Sequence, residues 1–113
     1  MSILKERAKK NDHGISAVDL KTIALIVSKY PQIEEVLLFG SRAKRTHEKG
    51  SDIDLCLKGE GVDAGIVSKV HWDLEEETLL PYFFDVVAYG GLSNLELKDH
   101  IDRRGEVIYR AEF

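Results

Sequence analysis

The chain has 113 residues, of which 43% are hydrophobic and 32% are charged, and its net charge at pH 7 is -4. This composition is typical of one folded domain and excludes an intrinsically disordered chain. The negative net charge argues against nonspecific binding to a nucleic-acid backbone. A single cysteine, Cys56, excludes an internal disulfide and a cysteine-only metal site.

The N-terminal region is polar and basic, and it has no apolar run typical of a secretory signal. Elsewhere no apolar run approaches the roughly 18 residues that suggest a membrane span. We therefore expect a cytoplasmic protein without a membrane partner. Residues 1–14 are expected to form a polar arm, and residues 15–113 a single domain.

Hydrophobic periodicity predicts the secondary structure in chain order. The predicted elements are a helix over 16–30, a strand over 35–39, a helical turn over 42–45, a strand over 51–57, a helix over 63–80, a strand over 82–89, a helix over 93–104 and a strand over 107–110. Ser16 with Asp19, and Ser93 with Glu96, predict capping boxes. This order predicts an α+β fold, in which a mixed β-sheet carries helices mainly on one face.

Two aspartates interrupt the second predicted strand, in the segment "SDIDLCL". Alternation directs Ile53, Leu55 and Leu57 to one face, so Asp52 and Asp54 share the other. Carboxylates two residues apart on a strand can converge on one cation, which offsets the several kcal/mol that unpaired burial costs. Magnesium suits such a site, because it takes oxygen ligands and shares its coordination with phosphates.

A third acid, Asp85, lies within the apolar segment "FFDVV". If the second and third strands are neighbours, Asp85 lies across from the pair formed by Asp52 and Asp54. Three carboxylates can hold two metal ions roughly 3.5–4 Å apart. One ion would activate an attacking hydroxyl, and the other would hold a leaving pyrophosphate. A structural role for all three acids is the alternative interpretation.

A phosphate-binding turn is predicted at the end of the first strand, where Gly40 and Ser41 precede a helical turn. Backbone N–H groups at such a turn form an anion cradle, and glycine lets the backbone approach a phosphate closely. The Ser41 hydroxyl can bond a phosphate oxygen. Arg42, with Lys44 as a further candidate, can neutralise the charge of a triphosphate.

Gly40-Ser41, ten further residues and then Asp52-Ile53-Asp54 resemble the signature of the minimal nucleotidyltransferases of the DNA polymerase β superfamily. The resemblance covers most of the chain, and Asp85 corresponds to the later strand acid of the family. It implies that Asp52, Asp54 and Asp85 are catalytic and bind two Mg²⁺ ions.

The resemblance also implies nucleotide-phosphate binding by Gly40 and Ser41, with Arg42 as a further contact. Ser51, directly before the acids, matches the family as well. One position departs from the pattern: many relatives read "GSRAxG", and Arg45 stands in place of the second glycine. His47 is a candidate substrate contact in the same loop, whereas His71 and His100 are interpreted as surface or packing residues.

The function implied by the resemblance is magnesium-dependent transfer of a nucleoside monophosphate, AMP from ATP, to a hydroxyl. In the family, such small proteins commonly act as the antitoxin of a helical HEPN toxin and can adenylylate one of its tyrosines. The short chain has no helical acceptor domain, so a partner is expected to supply the acceptor. Two alternatives stay open: a catalytically idle nucleotide-binding module that neutralises its partner by docking, and a nucleotidyltransferase acting on a small molecule.

Overall fold

A computed structural model of the protein describes residues 13–44 and 52–112. The elements are α1 (Ala17–Val27), β1 (Glu35–Phe39), α2 (Gly40–Ala43), β2 (Ile53–Lys58), α3 (Ala64–Glu76), β3 (Phe84–Ala88), a 3-10 turn (Tyr89–Gly91), α4 (Leu95–Arg104) and β4 (Glu106–Arg110). Within these two ranges, the helices lack the combination of length and apolarity that crossing a membrane would need.

The four strands form one mixed sheet in the order β3-β2-β1-β4. Strand β1 pairs antiparallel with both β2 and β4, whereas β2 and β3 run parallel. Parallel neighbours need a long crossover connection, which α3 provides between β2 and β3. The predicted α+β fold with a mixed sheet is confirmed.

The main core lies on the sheet face covered by α1 and α3. Alternation along the central strands directs Val36 and Leu38 to this face, opposite Leu57 and Leu55 of β2. The helices and flanking segments complete the core with Ile15, Ile23, Val27, Ile33, Ile66, Val70 and Leu74. Burial of this apolar surface is the main stabilising contribution to the fold.

The opposite face of the sheet is covered only in part. Leu37 and Phe39 of β1 and Cys56 of β2 pack there with Ile101 of α4 in a smaller cluster. The two longer helices thus share one face and α4 lies on the other, in agreement with the predicted arrangement. Because α4 covers only part of its face, the next positions along β2 and β3 are left to polar side chains.

The helix caps agree with the sequence at one helix and differ at another. The Ser16 hydroxyl accepts the N–H of Asp19 at 3.1 Å, so the predicted N-cap of the first helix is confirmed. The predicted cap of the last helix is wrong by one position. Asn94, not Ser93, caps α4 by accepting the N–H of Leu97 at 3.0 Å, since an asparagine amide serves as well as a serine hydroxyl.

Helix α3 ends at Glu76, four residues before the predicted end at Leu80. The Thr78 hydroxyl donates to the Leu74 carbonyl at 2.7 Å and accepts the N–H of Leu80 at 3.2 Å. These two bonds satisfy groups at the helix end and turn the chain toward β3.

Residues 1–12 of the predicted arm lie outside the described ranges, so the boundary of the arm stays a prediction. His13, inside the predicted arm, is buried in the domain. Its Nδ1 accepts the N–H of Ile15 at 3.2 Å, and its carbonyl accepts a hydrogen bond from Arg42. The packed part of the protein therefore includes residue 13.

Candidate active site

Asp54 and Asp85 lie side by side on neighbouring strands, where they are register partners in the parallel pairing of β2 with β3. Neighbouring strands are separated by roughly 4.7–4.9 Å. Asp52 lies two residues before Asp54, just ahead of β2, and points to the same side. The predicted proximity of Asp85 to the other two acids is confirmed. Asp54 is half-buried, whereas Asp52 and Asp85 are exposed.

The half-buried carboxyl of Asp54 lies in a negative environment. Burial, together with the charges of Asp85 and Asp52, raises its pKa to about 6, against the opposing effect of Arg42. Ionised Asp54 is therefore destabilised in the folded protein near neutral pH. A cation between these strands would remove that penalty.

The donor chemistry at this point suits a hard divalent cation, because all three side chains offer carboxylate oxygens. Among residues 13–44 and 52–112, no three acidic, histidine or cysteine side chains are already gathered around one metal position. The backbone register supplies the proximity, and the exposed side chains of Asp52 and Asp85 can reorient toward a shared ion.

Gly40 has a left-handed backbone conformation and lies in contact with the side chain of Asp54. Its φ is +76°, and a Cβ added there would overlap Oδ2 of Asp54. An L residue is disfavoured at this φ, and the overlap excludes any side chain as long as the carboxylate stays in place. The glycine of the Gly-Ser turn is therefore required by the nearby acid, besides any role toward phosphate.

The N–H of Gly40 is already engaged, because it donates to Nε2 of His100 at 2.9 Å. This N–H is therefore not open to a phosphate in the structure described, and the anion cradle at the Gly-Ser turn stays a prediction. The interpretation of His100 as a surface or packing residue is incomplete: its ring packs edge-on against Phe39, and it also holds the turn. Burial, followed by the charges of Lys44 and Arg104, lowers the pKa of His100 and favours the neutral form that can accept.

The remaining predicted phosphate contacts differ in their exposure, and some lie outside the described residues. Ser41 lies in the first turn of α2 and is half-buried, and the exposed Lys44 caps the end of α2. Ser51, Arg45 and His47 lie outside the described residues. Their roles stay predictions.

Arg42 faces the interior, with only 3% of its surface exposed. Its Nη1 donates to the His13 carbonyl at 2.8 Å, and its guanidinium carbon lies 5.4 Å from the centre of the Tyr82 ring. Its charge also lowers the pKa of Asp54. The expectation that Arg42 reaches a triphosphate does not agree with this burial.

Comparison with protein families matches residues 21–113 to the model described as "Polymerase beta, Nucleotidyltransferase". Among solved structures, a toxin–antitoxin with AMP-PNP is similar with a TM-score of 0.69 and 19% identity, over 83% of this chain and 75% of that chain. A structure of the toxin–antitoxin MntA-HepT gives a TM-score of 0.64 and 17% identity, over 83% and 72%.

A third similar structure is a tri-AMPylated Shewanella oneidensis HEPN toxin in complex with MNT antitoxin. Its TM-score is 0.64 at 17% identity, over 83% of this chain and 71% of that chain. At these identities the likeness shows a shared fold. Comparison with curated proteins gives no match.

Proposed function

This chain belongs to the polymerase beta nucleotidyltransferase family, and we propose that it transfers AMP from ATP to a hydroxyl of a HEPN toxin partner, as the antitoxin of the pair. The observation that carries the proposal is the parallel register of Asp54 with Asp85, two residues after Asp52. The similar structures support it, because one contains AMP-PNP and another an AMPylated HEPN toxin with MNT antitoxin.

In this proposal Asp52, Asp54 and Asp85 hold two Mg²⁺ ions. Bound magnesium would neutralise triphosphate charge and make the attacking hydroxyl more acidic. Gly40 leaves space for the Asp54 carboxylate and the buried charge of Arg42 favours its ionised form, while the exposed Asp52 and Asp85 would complete the ligand set. The hydroxyls of Ser41 and Ser51 would contact phosphate oxygens.

The reaction has one bond formed and one broken at phosphorus. The acceptor oxygen bonds to the α-phosphorus as its proton passes to Asp85, and the bond between the α-phosphorus and the bridging oxygen breaks, with its electron pair leaving on pyrophosphate. The protein contributes positioning and charge stabilisation rather than a covalent intermediate. A tyrosine of the partner is the acceptor we propose.

The test is transfer of label from α-labelled ATP, in the presence of Mg²⁺, to the product of the adjacent reading frame, which the proposal expects to be a HEPN toxin. We compare the wild type with the double variant Asp52→Asn plus Asp54→Asn. The control is Glu76→Gln plus Glu77→Gln, which removes the same charge from exposed positions at the end of α3. We expect label on a partner tyrosine with the wild type and the control, and a loss of at least about 100-fold with the acid variant.

Two outcomes would change the proposal. If the wild type labels nothing and the acid variant still neutralises the toxin, the protein acts by docking. The exposed aromatic side chains of Trp72 and Phe83, which are 59% and 72% exposed, give that alternative a surface. If label appears on a small hydroxylated compound and never on protein, the acceptor belongs to another class.

A further inference from the structure

A second polar feature lies next to the Gly-Ser turn, outside the group of acids. It is a cavity of about 470 Å³ between the end of α2 and the last turns of α4. Its lining consists of Lys44, Asp99, His100, Arg103 and Arg104. A volume of this size is within the roughly 300–1,000 Å³ typical of small-molecule sites.

The charge of this cavity is positive in a chain whose net charge is -4. Its one carboxylate, on Asp99, pairs with Arg103 at 2.9 Å. Lys44 and Arg104 form no ion pair with a carboxylate of residues 13–44 or 52–112. The C-terminal end of α4 contributes only about half a negative charge, which is less than these two cations supply.

The two cations are also close to the imidazole that holds the turn. Burial is the first cause of the lowered pKa of His100, and the charges of Lys44 and Arg104 are the next two. Both cations line the same cavity as His100, so an anion bound there would lie among them.

The cavity is connected to the acidic site through Gly40. His100 forms part of the cavity wall and accepts the Gly40 N–H, and Lys44 caps α2. Gly40 in turn lies against the Asp54 carboxylate. Helix α4 packs on the same sheet face as Asp54, so the cavity and the acids lie along one surface on either side of the turn.

We propose that this cavity binds the terminal phosphates of ATP and, after transfer, the pyrophosphate. The inference rests on the proposed function, because it assigns the phosphate end of the same substrate. Ammonium and guanidinium groups are strong donors to phosphate oxygens, and an arginine can contact two of them at once. The acids would hold the reacting end of the triphosphate through metal, and the cavity would hold the end that leaves.

The experiment measures binding of inorganic pyrophosphate to the full chain by calorimetry, without Mg²⁺, so that the acids do not contribute. The cavity variant is Lys44→Ala plus Arg104→Ala. The matched control is Lys21→Ala plus Arg110→Ala, which removes the same two residue types from α1 and from β4, where Arg110 pairs with Glu35. AMP, which lacks the terminal phosphates, is titrated in parallel, and circular dichroism checks that each variant is folded.

We expect the cavity variant to bind pyrophosphate at least about tenfold more weakly than the wild type, with the control within twofold. AMP affinity should be the same in all three proteins. If both variants lose the same pyrophosphate affinity, the loss results from the change in net charge and the proposal is overturned. Absence of pyrophosphate binding to the wild type would overturn it as well. Single-stranded RNA is titrated as well. If the cavity variant loses RNA binding but keeps the pyrophosphate affinity of the wild type, the cavity is a nucleic-acid site and the proposal is overturned.

The failure of this inference is distinguishable from failure of the proposed function. Pyrophosphate binding involves no acceptor and no transfer, so a wild type that binds pyrophosphate at the cavity but labels no partner contradicts only the proposed function. A wild type that labels its partner, with a cavity variant unchanged in pyrophosphate affinity, contradicts only the cavity assignment.

Discussion

The backbone N–H of Gly40 donates a hydrogen bond to Nε2 of His100 at 2.9 Å, across 60 positions of sequence. The first residue of α2 and a residue of α4 are thereby joined at the edge of the acidic site. Because Gly40 also lies against Asp54, a change in this bond is expected to reach the carboxylates of the acidic site.

Substitution Gly40→Ala should destabilise the protein by about 2–4 kcal/mol, because the methyl group meets Asp54 and the φ of +76° disfavours an L residue. Gly90→Ala is the control, since a Cβ there has no atom within 4 Å. Urea unfolding of both variants measures the difference, and the control should stay within about 0.5 kcal/mol of the wild type. Equal stability of the two variants would contradict the contact between Gly40 and Asp54.

Substitution His100→Ala should cost about 1 kcal/mol of stability, whereas His100→Gln, which retains an acceptor, should recover part of it. The pKa of His100 is lowered from its ordinary value of 6.5, so the folded state favours neutral imidazole. The stability that this provides is present above pH 6.5 and is lost as the pH falls through the folded-state value. The wild type should therefore lose stability relative to His100→Gln below pH 6.5, as measured by urea unfolding from pH 5 to 8. Parallel pH profiles of the two proteins would exclude this role of the imidazole.

Substitution Asp54→Asn should stabilise the metal-free protein at pH 7.5 by about 1–2 kcal/mol, which allows for solvent screening of a half-buried group. The pKa of Asp54 is raised from 3.8 to about 6, so the folded state holds the proton more tightly. The stability that this tighter proton binding gives the folded state is fully present below pH 3.8 and is lost as the pH rises through 6.

Urea unfolding at pH 4 and pH 7.5, in the presence of a chelator, measures this effect, and the gain of Asp54→Asn should be confined to the higher pH. Glu76→Gln, at an exposed position, is the control with the same charge change. Addition of Mg²⁺ with AMP-PNP should reverse the order, because bound ligand stabilises only the protein that retains the carboxylate. A less stable Asp54→Asn in metal-free buffer at pH 7.5 would contradict the negative environment of Asp54.

Substitution Arg42→Met should destabilise the protein by about 2–4 kcal/mol, since it leaves the His13 carbonyl without this donor and removes the contact with Tyr82. Arg103→Met is the control, because that side chain is 75% exposed. The variant should also raise the pKa of Asp54, which carbon-13 NMR of labelled aspartate can follow. An unchanged titration of Asp54 in Arg42→Met would show that the arginine has no electrostatic effect on the site.

Local pattern was sufficient to predict much of the fold and the acidic group. The strand Glu35–Phe39 was predicted with its observed bounds, because its run of apolar residues lies between a proline-containing turn and glycine. The faces of β2 followed from strict alternation, and the proximity of Asp85 followed from one assumption about strand order that the register confirms.

The parts that could not be predicted depend on contacts between distant segments. No local signal connects His100 with Gly40, since helical periodicity places a histidine on a face without naming its partner. Arg42 is predicted at the phosphates because its charge can neutralise a triphosphate, and no local signal indicates that the distant His13 carbonyl accepts its hydrogen bond in the interior. The cap of α4 differed by one residue because serine and asparagine are nearly equivalent in that position.

The overlap between a Gly40 side chain and Asp54 implies that the two positions are energetically coupled. The cost of Gly40→Ala should shrink when Asp54 is also replaced by alanine, so a double-mutant cycle should give a large favourable interaction term. Over evolutionary time, a lineage that abandons the acid would release the glycine from its steric constraint. Joint retention of both residues would then distinguish relatives still selected for metal binding from those that keep only the fold.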